Sequence, residues 1–188
     1  MIENLSEPIH LKVAPHETAE VFVLNFKGEV NITADLEEKS NFQIKCIYLA
    51  DGENKSDIRF KVRHLKPDAE SNQTIKGILT DSARVYFNGV IHIARDAQKS
   101  MGYENHRAIL LSDTAATTVV PELEILADDV KCSHGSAIGP INKTELFYIQ
   151  SRGIPAAEAK KMLIRSFLFE AAAPEFETYI DDWMAKHV

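Results

Sequence analysis

The sequence predicts a mainly β protein, with a β-solenoid core over residues 1–139 and a small α-helical subdomain over residues 140–188. Short segments that alternate apolar and polar residues recur from about residue 20 to residue 134, without helical periodicity. From Asn142 onward the spacing of apolar residues becomes helical. Strands without intervening helices are typical of a sandwich, a barrel or a solenoid, and their recurrence after about residue 74 favours the solenoid.

The predicted strands alternate with turn sequences. Strands are expected at 21–26, 42–49, 58–65, 85–87, 90–93, 108–111, 117–120 and 123–126, and turns at 27–28, 51–54 and 66–68. The pair Asn88 and Gly89 predicts a tight turn between the fourth and fifth of these strands. The solenoid repeat is predicted from strands that recur about every twenty residues, at 76–79, 90–93, 109–111 and 130–132.

Three helices are predicted after the strands. Asn142 and Glu145 form a capping box that opens the first helix, which should run to residues 151–152 with Gly153 at the C′ position. Pro155 is expected as the first residue of the second helix, and the third should begin near Pro174. The second helix is apolar almost all round, and a helical face left exposed in this way indicates a docking surface for a partner.

Composition excludes several classes of function. The formal net charge of −7 and the pI near 5.5 argue against nucleic acid as the main partner, because phosphate binding needs a basic surface. No apolar run approaches the ~20 residues of a membrane span, and residues 1–20 show no signal peptide. A cytoplasmic protein is expected, with the two cysteines, Cys46 and Cys132, both reduced.

Cys132 and His134 are the main candidates for chemistry. Two residues apart in a strand, they share one face and could approach a common soft metal ion or an iron–sulfur cluster. Two ligands leave a four-coordinate site incomplete. The same pair is also compatible with a buried thiol beside a hydrogen-bonded imidazole, or with a thiol nucleophile activated by histidine.

The remaining candidates have structural interpretations. His92 is expected to be a satisfied structural histidine, and Cys46 a small buried hydrophobic residue. Asp128 and Asp129 are expected in a solvated turn. The sequence has no glycine-rich phosphate loop, no Gly-x-Ser-x-Gly motif and no recognisable acid–base pair of carboxylates.

Three connected segments, at 76–94, 121–135 and 145–154, resemble the SufB/SufD family of iron–sulfur cluster assembly proteins. The run Lys-Cys-Ser-His-Gly at 131–135 is more similar to the SufD branch than to the SufB branch. The resemblance implies a right-handed parallel β-solenoid that ends in a helical subdomain. Glu104 and His106 depart from the family pattern, which has glutamine and asparagine there.

The resemblance also implies a function and partners. It implies a non-catalytic scaffold subunit of a SufBCD complex that binds a SufC-type ABC ATPase and pairs with a SufB-type paralogue, with self-association as an alternative. His134, with Cys132 beside it, would contribute ligands to a nascent cluster at the pairing interface. No cluster is expected to bind stably to the isolated chain, only transiently in the complex. The expected ATPase-docking residues are Leu146, Phe147, Tyr148, Arg152, Gly153 and Ile154.

Two points stay open at this level. Family members are much longer, so the chain is expected to be either an excised fragment or a short homologue. The competing functions are a β-solenoid enzyme with Cys132 as its nucleophile and a purely structural interaction module.

Overall fold

The computed structural model describes residues 7–188, which contain ten β-strands followed by three α-helices and one 3-10 helix. None of the helices in this part of the chain is long and apolar enough to cross a membrane. The elements are β1 Ile9–Val13, β2 Thr18–Asn25, β3 Gly28–Leu36, β4 Asn41–Ala50, β5 Lys55–His64, β6 Glu70–Leu79, β7 Arg84–Ile93, β8 Met101–Leu110, β9 Ala116–Ile125, β10 Lys131–Gly139, α1 Lys143–Gln150, α2 Ala156–Phe169, the 3-10 helix Pro174–Phe176 and α3 Glu177–His187.

The strands form two parallel five-stranded sheets. The odd sheet has the order β1-β3-β5-β7-β9, and the even sheet has the order β10-β8-β6-β4-β2. The chain therefore passes from one sheet to the other with each strand, and each turn adds one strand to both sheets. This is the arrangement of a parallel β-solenoid, as predicted. Residues 1–6 of the predicted core lie outside the described residues.

The predicted repeat of about twenty residues is wrong. In the even sheet Asn41 pairs with Glu70, Glu70 with Met101, and Met101 with Lys131, so one turn takes about thirty residues. The predicted repeat is too short because it counts strands of both sheets as successive turns. The segment 90–93 lies in β7 of the odd sheet, whereas 76–79 and 109–110 lie in β6 and β8 of the even sheet.

The tight turn predicted at Asn88 and Gly89 is also wrong, since both residues lie within the single strand β7. The absence of a side chain at Gly89 instead allows the Glu104 carboxyl to lie close to the backbone of β7. A Cβ atom at Gly89 would lie 1.8 Å from Oε2 of Glu104. Likewise, the two strands predicted at 117–120 and 123–126 form one strand, β9. Pro121 is tolerated within it because, among the ten described strands, β9 pairs with β7 alone and so ends its sheet.

The space between the two sheets is the lumen of the solenoid. It is filled mainly by apolar side chains that point inward from both sheets. Phe60 and Phe87 meet edge to face, with ring centroids 5.6 Å apart. Cys46 is fully buried in this core, as predicted. The largest fully buried side chains that contribute to it are Tyr48, Phe42, Phe60, Phe87, Ile32, Leu36 and Ile44.

The helical segment begins with the predicted cap. Oδ1 of Asn142 accepts hydrogen bonds from the backbone N–H groups of Thr144 (2.9 Å) and Glu145 (3.4 Å), and its Nδ2 donates to Oε1 of Glu145 at 2.9 Å. Two boundaries differ by one residue. The C-cap of α1 is Ser151, so Gly153, with φ +85°, lies one position beyond C′. Pro155 is the N-cap of α2 rather than its first residue.

The helices pack on the outer face of the even sheet. Ile164 and Leu168 of α2 and Ile180 of α3 are fully buried in one cluster with Ile47 and Ile78 of the sheet. Lys76 lies in the same contact: its side chain is 1% exposed and forms an ion pair with Glu170, whose side chain is 57% exposed. The Lys76 ammonium also lies 4.7 Å from the centroid of the Phe167 ring.

We predict that Gly77→Ala destabilises the protein strongly. A Cβ atom at Gly77 would lie 2.0 Å from Cζ of Tyr48, and this ring is fully buried. Overpacking of this kind should lower the free energy of unfolding by about 3 kcal/mol, measured by urea denaturation.

Gly135→Ala is the matched control, because Gly135 also lies in a strand of the even sheet and, apart from its two chain neighbours, no residue of 7–188 has an atom within 4 Å of the added Cβ. Its free energy of unfolding should change by less than about 0.5 kcal/mol. Equal stability of the two variants would contradict the packing argument.

Candidate functional site

The last two strands leave one end of the solenoid uncovered. β9 and β10 each end their sheet, so along the described chain no strand pairs with their outer edges. The side chains of Leu123, Ile125 and Ile138 are exposed there. Unpaired strand edges together with exposed apolar side chains provide a template for pairing with another chain. We refer to β9 and β10 as the open end.

Cys132 and His134 lie on β10 at the open end. Cys132 pairs with Gly102 of β8 and His134 pairs with Glu104, so both side chains continue columns that face the lumen. The prediction that they share one face of a strand is therefore confirmed. Cys132 is half-buried against a small apolar cluster that contains Ile91 and Ile93, whereas His134 is exposed. Neither group is sealed inside the protein.

The Cys132 thiol is not activated in this environment. Burial raises its pKa, and a hydrogen bond with the backbone of Gly102 offsets this only partly. A nucleophilic cysteine needs the opposite, a lowered pKa in an electropositive setting. Cys132 and Cys46 are not joined by a disulfide bond.

Cys132 and His134 supply one sulfur and one nitrogen donor. Within residues 7–188, no three His, Cys, Asp or Glu side chains are placed to hold a metal ion together. A four-coordinate site at the open end would therefore need donors from a second chain or from the bound species itself. The ligand role of the pair remains a prediction.

A polar layer lies directly inside the open end, and the sequence analysis missed it as a group. His64, Ser71, Gln73, Glu104 and His106 are all buried, with exposed fractions of 4% or less. Nε2 of His64 lies 2.9 Å from Oγ of Ser71. Nε2 of His106 lies 3.0 Å from the Tyr48 hydroxyl, deep in the apolar core. The lumen thus changes from apolar to polar in its last turns.

Burial controls the charge of this layer. It raises the pKa of the Glu104 carboxyl to about 7, and it lowers the pKa of His64 and of His106 to about 4. At neutral pH both imidazoles are therefore uncharged, and Glu104 is divided between its protonated and ionised forms. The polar layer can donate and accept hydrogen bonds without carrying a large net charge.

The other candidates lie outside the lumen. Nδ1 of His92 lies 3.0 Å from Oε2 of Glu124 on the outer face of the odd sheet, which agrees with a structural histidine. Asp128 and Asp129 are exposed in a bend between β9 and β10, as expected for a solvated turn. In the described part of the chain, neither set approaches the Cys132–His134 pair closely enough to complete a metal site.

Helix α1 presents an aromatic surface to solvent. Phe147 is 71% exposed and Tyr148 is 59% exposed. The Arg152 guanidinium lies 4.9 Å from the centroid of the Tyr148 ring, and its Nη2 donates to the Tyr148 hydroxyl at 2.6 Å. Leu146 and Ile154 are half-buried, and Gly153 is exposed. The candidate docking residues thus form a surface around α1 and the turn after it, with a preset tyrosine–arginine contact.

Comparison with known proteins gives a consistent result. Residues 11–167 match the family model described as SUF system FeS cluster assembly, SufBD core domain. The chain is 37% identical to the iron-sulfur cluster assembly protein SufD of Escherichia coli (strain K12), over 71% of this chain and 31% of that protein.

Two proteins of Bacillus subtilis (strain 168), one SufD and one SufB, allow the similarity of this chain to the two branches of the family to be compared. The chain is 32% identical to SufD of this organism, over 66% of this chain and 28% of that protein. It is 27% identical to the SufB protein, over 65% of this chain and 26% of that protein. The greater similarity is to SufD. The chain spans about a third of the length of the curated relatives that it matches.

We predict that Glu104→Gln changes how stability depends on pH. Between the ordinary carboxyl pKa of about 4.5 and the folded value of about 7, the folded wild-type protein holds a proton that the unfolded chain has released. Raising the pH through this window therefore destabilises the wild type. The loss from pH 5 to pH 8 should be about 2 to 3 kcal/mol, and the variant lacks it.

The measurement is urea denaturation of both proteins at pH 5 and pH 8. His64 and His106, with lowered pKa values, stabilise the fold as pH rises from about 4 to 6.5, but they do so equally in both proteins. The difference between the two proteins therefore isolates Glu104. An identical pH dependence would show that Glu104 is not buried as described.

Proposed function

Because the chain belongs to the SufBD core family, we propose that it is a SufD-like, non-catalytic scaffold subunit in iron–sulfur cluster assembly. The family prediction made from the sequence is confirmed. The single observation that supports the scaffold role most is the position of Cys132 and His134: both face the lumen at the open end, where the fold does not cover them. The nascent cluster would be the cargo of this site rather than a resident cofactor.

The open end supports pairing with a second solenoid. A SufB-type paralogue would have a related fold, since the SufB protein of Bacillus subtilis is also similar to this chain. Strand edges of β9 and β10 can extend into a second chain by backbone hydrogen bonds, and the exposed apolar residues Leu123, Ile125 and Ile138 would be covered. The partner would then bring the missing donors to Cys132 and His134. Self-association through the same edges is the alternative.

The helical segment supports docking of a SufC-type ABC ATPase. The exposed rings of Phe147 and Tyr148 are typical anchors of an interface, and Arg152 already holds Tyr148 in place. Helix α2 and its C-cap residue connect this surface to the solenoid: Leu168 lies in the apolar contact, and the C-cap Glu170 pairs with Lys76. A change in the ATPase could thus reach the even sheet through packed side chains.

The enzymatic alternative has less support. The raised pKa of the Cys132 thiol disfavours a nucleophile. A purely structural module would be expected to seal its thiol in the core, as this protein does with Cys46, whereas Cys132 is only half-buried.

We predict that removal of both rings, Phe147→Ala with Tyr148→Ala, weakens binding of the ATPase at least about thirtyfold, because exposed aromatic anchors dominate interface energies. The measurement is isothermal titration of the folded chain with the purified cognate SufC-type ATPase. Tyr103→Ala is the matched control, since Tyr103 is an exposed aromatic residue (41%) on the solenoid. No binding by the wild-type chain, or equal binding by both variants, would contradict this docking surface.

We also predict that His134→Ala reduces cluster formation in the assembled complex by at least about tenfold without unfolding the chain, because the side chain is exposed and contributes little packing. Cluster formation is followed by the visible absorbance of the reconstituted complex. His92→Ala, on the outer face of the odd sheet, is the control and should leave the rate unchanged. Normal cluster formation by the His134 variant would remove this residue from the site.

A further inference from the structure

Three polar side chains form one column that leads from the lumen to the open end. On the even sheet Gln73 of β6 pairs with Glu104 of β8, and Glu104 pairs with His134 of β10. In-register residues of parallel strands project on the same side of the sheet, about 4.8 Å apart. Gln73 is fully buried, Glu104 is 4% exposed, and His134 is exposed. The column therefore connects a buried amide and a buried carboxyl to a surface imidazole.

The buried part of this column has unused hydrogen-bonding capacity. Both carboxyl oxygens of Glu104 and both amide atoms of Gln73 are buried without a hydrogen-bond partner among residues 7–188. Each buried polar atom in this condition costs about 1 to 3 kcal/mol relative to one that is paired. Protein interiors leave few such groups unpaired, so each one calls for a physical explanation.

The surroundings accommodate the carboxyl group. Across the lumen Gly89 leaves the space that Oε2 of Glu104 occupies, since a Cβ there would lie 1.8 Å from this oxygen. Gly102 lies two residues before Glu104 on the same face of β8, and it pairs with Cys132 of β10. Since it is a glycine, no side chain lies beneath Cys132. Glu104 is therefore bordered by glycines on the side of Cys132 and on the opposite wall.

We propose that Glu104 is a positioning residue for His134. The exposed imidazole, which stacks above Glu104, adjusts its side-chain torsions and donates one ring N–H to the Glu104 carboxylate, while Gln73 donates its amide N–H from the opposite side. The second ring nitrogen of His134 then points outward, ready for a metal ion of the incoming cluster. Histidine ligands of metals are commonly oriented by a carboxylate in this way.

The role of His134 as a ligand of the cluster rests on the proposed function. The hydrogen bond between His134 and Glu104 does not depend on that function. It can therefore be tested on the folded full chain, without a partner or a cluster. The measurement is the tautomer ratio of the His134 ring, obtained at pH 7.5 from ring nitrogen–proton correlations in a ¹⁵N-labelled sample. The wild type should show one dominant tautomer. In Glu104→Gln the ratio should change at least about threefold, because the amide cannot replace a charged acceptor.

Two further variants sharpen the result. Glu104→Asp keeps the charge but withdraws the carboxylate by one methylene group, and it should shift the ratio in the same direction as Glu104→Gln. Glu124→Gln is the matched control: it should alter His92, its partner at 3.0 Å, and leave His134 unchanged. A His134 tautomer ratio that is the same in wild type and in Glu104→Gln would overturn the positioning role. Loss of cluster assembly in the His134→Ala variant would have no bearing on that outcome, so the two proposals fail separately.

Discussion

Continuous parallel register stacks each side chain of one turn directly above a side chain of the turn before, and this constraint fixes the rest of the structure. It places Cys132 above Gly102 and His134 above Glu104, so the chemistry of the open end is determined by the strand beneath it. A slip of one residue would exchange the lumen-facing and outward-facing side chains of an entire strand. The bulky, fully buried residues of the lumen, such as Tyr48 over Gly77, make such a slip costly.

The lumen is graded along the solenoid axis. Its first turns are packed with aliphatic and aromatic side chains, which stabilise the stack without directing any chemistry. The last turns introduce Gln73, Glu104 and His106 at the same lumen-facing positions. Polar groups thus accumulate toward the end at which the two sheets stop. A partner that covers this end would pack on the exposed apolar residues Leu123, Ile125 and Ile138, with the buried polar layer directly beneath the contact.

Sequence alone could predict strands such as β4 and β5 and the capped helix at Asn142, because each depends on local alternation or local hydrogen bonding. It did not predict β1 and β3, and it divided β7 and β9 into two strands each. The solenoid class was predicted, although from a repeat of the wrong length. The turn length could not be obtained in this way, since consecutive strands alternate between sheets and look alike. Gly89 resembled a turn residue because its actual role depends on Glu104, which is distant in sequence. The shared face of Cys132 and His134 followed from their spacing. The polar layer did not, because it requires knowing which residues stack across turns.

The two partners of the ion pair between Lys76 and Glu170 differ in their exposure to solvent. The lysine side chain is almost fully buried, whereas more than half of the glutamate side chain is exposed. Loss of the lysine would leave a glutamate that water can hydrate, whereas loss of the glutamate would leave an enclosed cation without a counter-charge. Substitutions at positions 76 and 170 should therefore occur in a preferred order during evolution. Lineages should replace the lysine by an apolar residue first and relax the glutamate afterwards, so natural variants with an apolar residue at position 170 and lysine at position 76 should be rare.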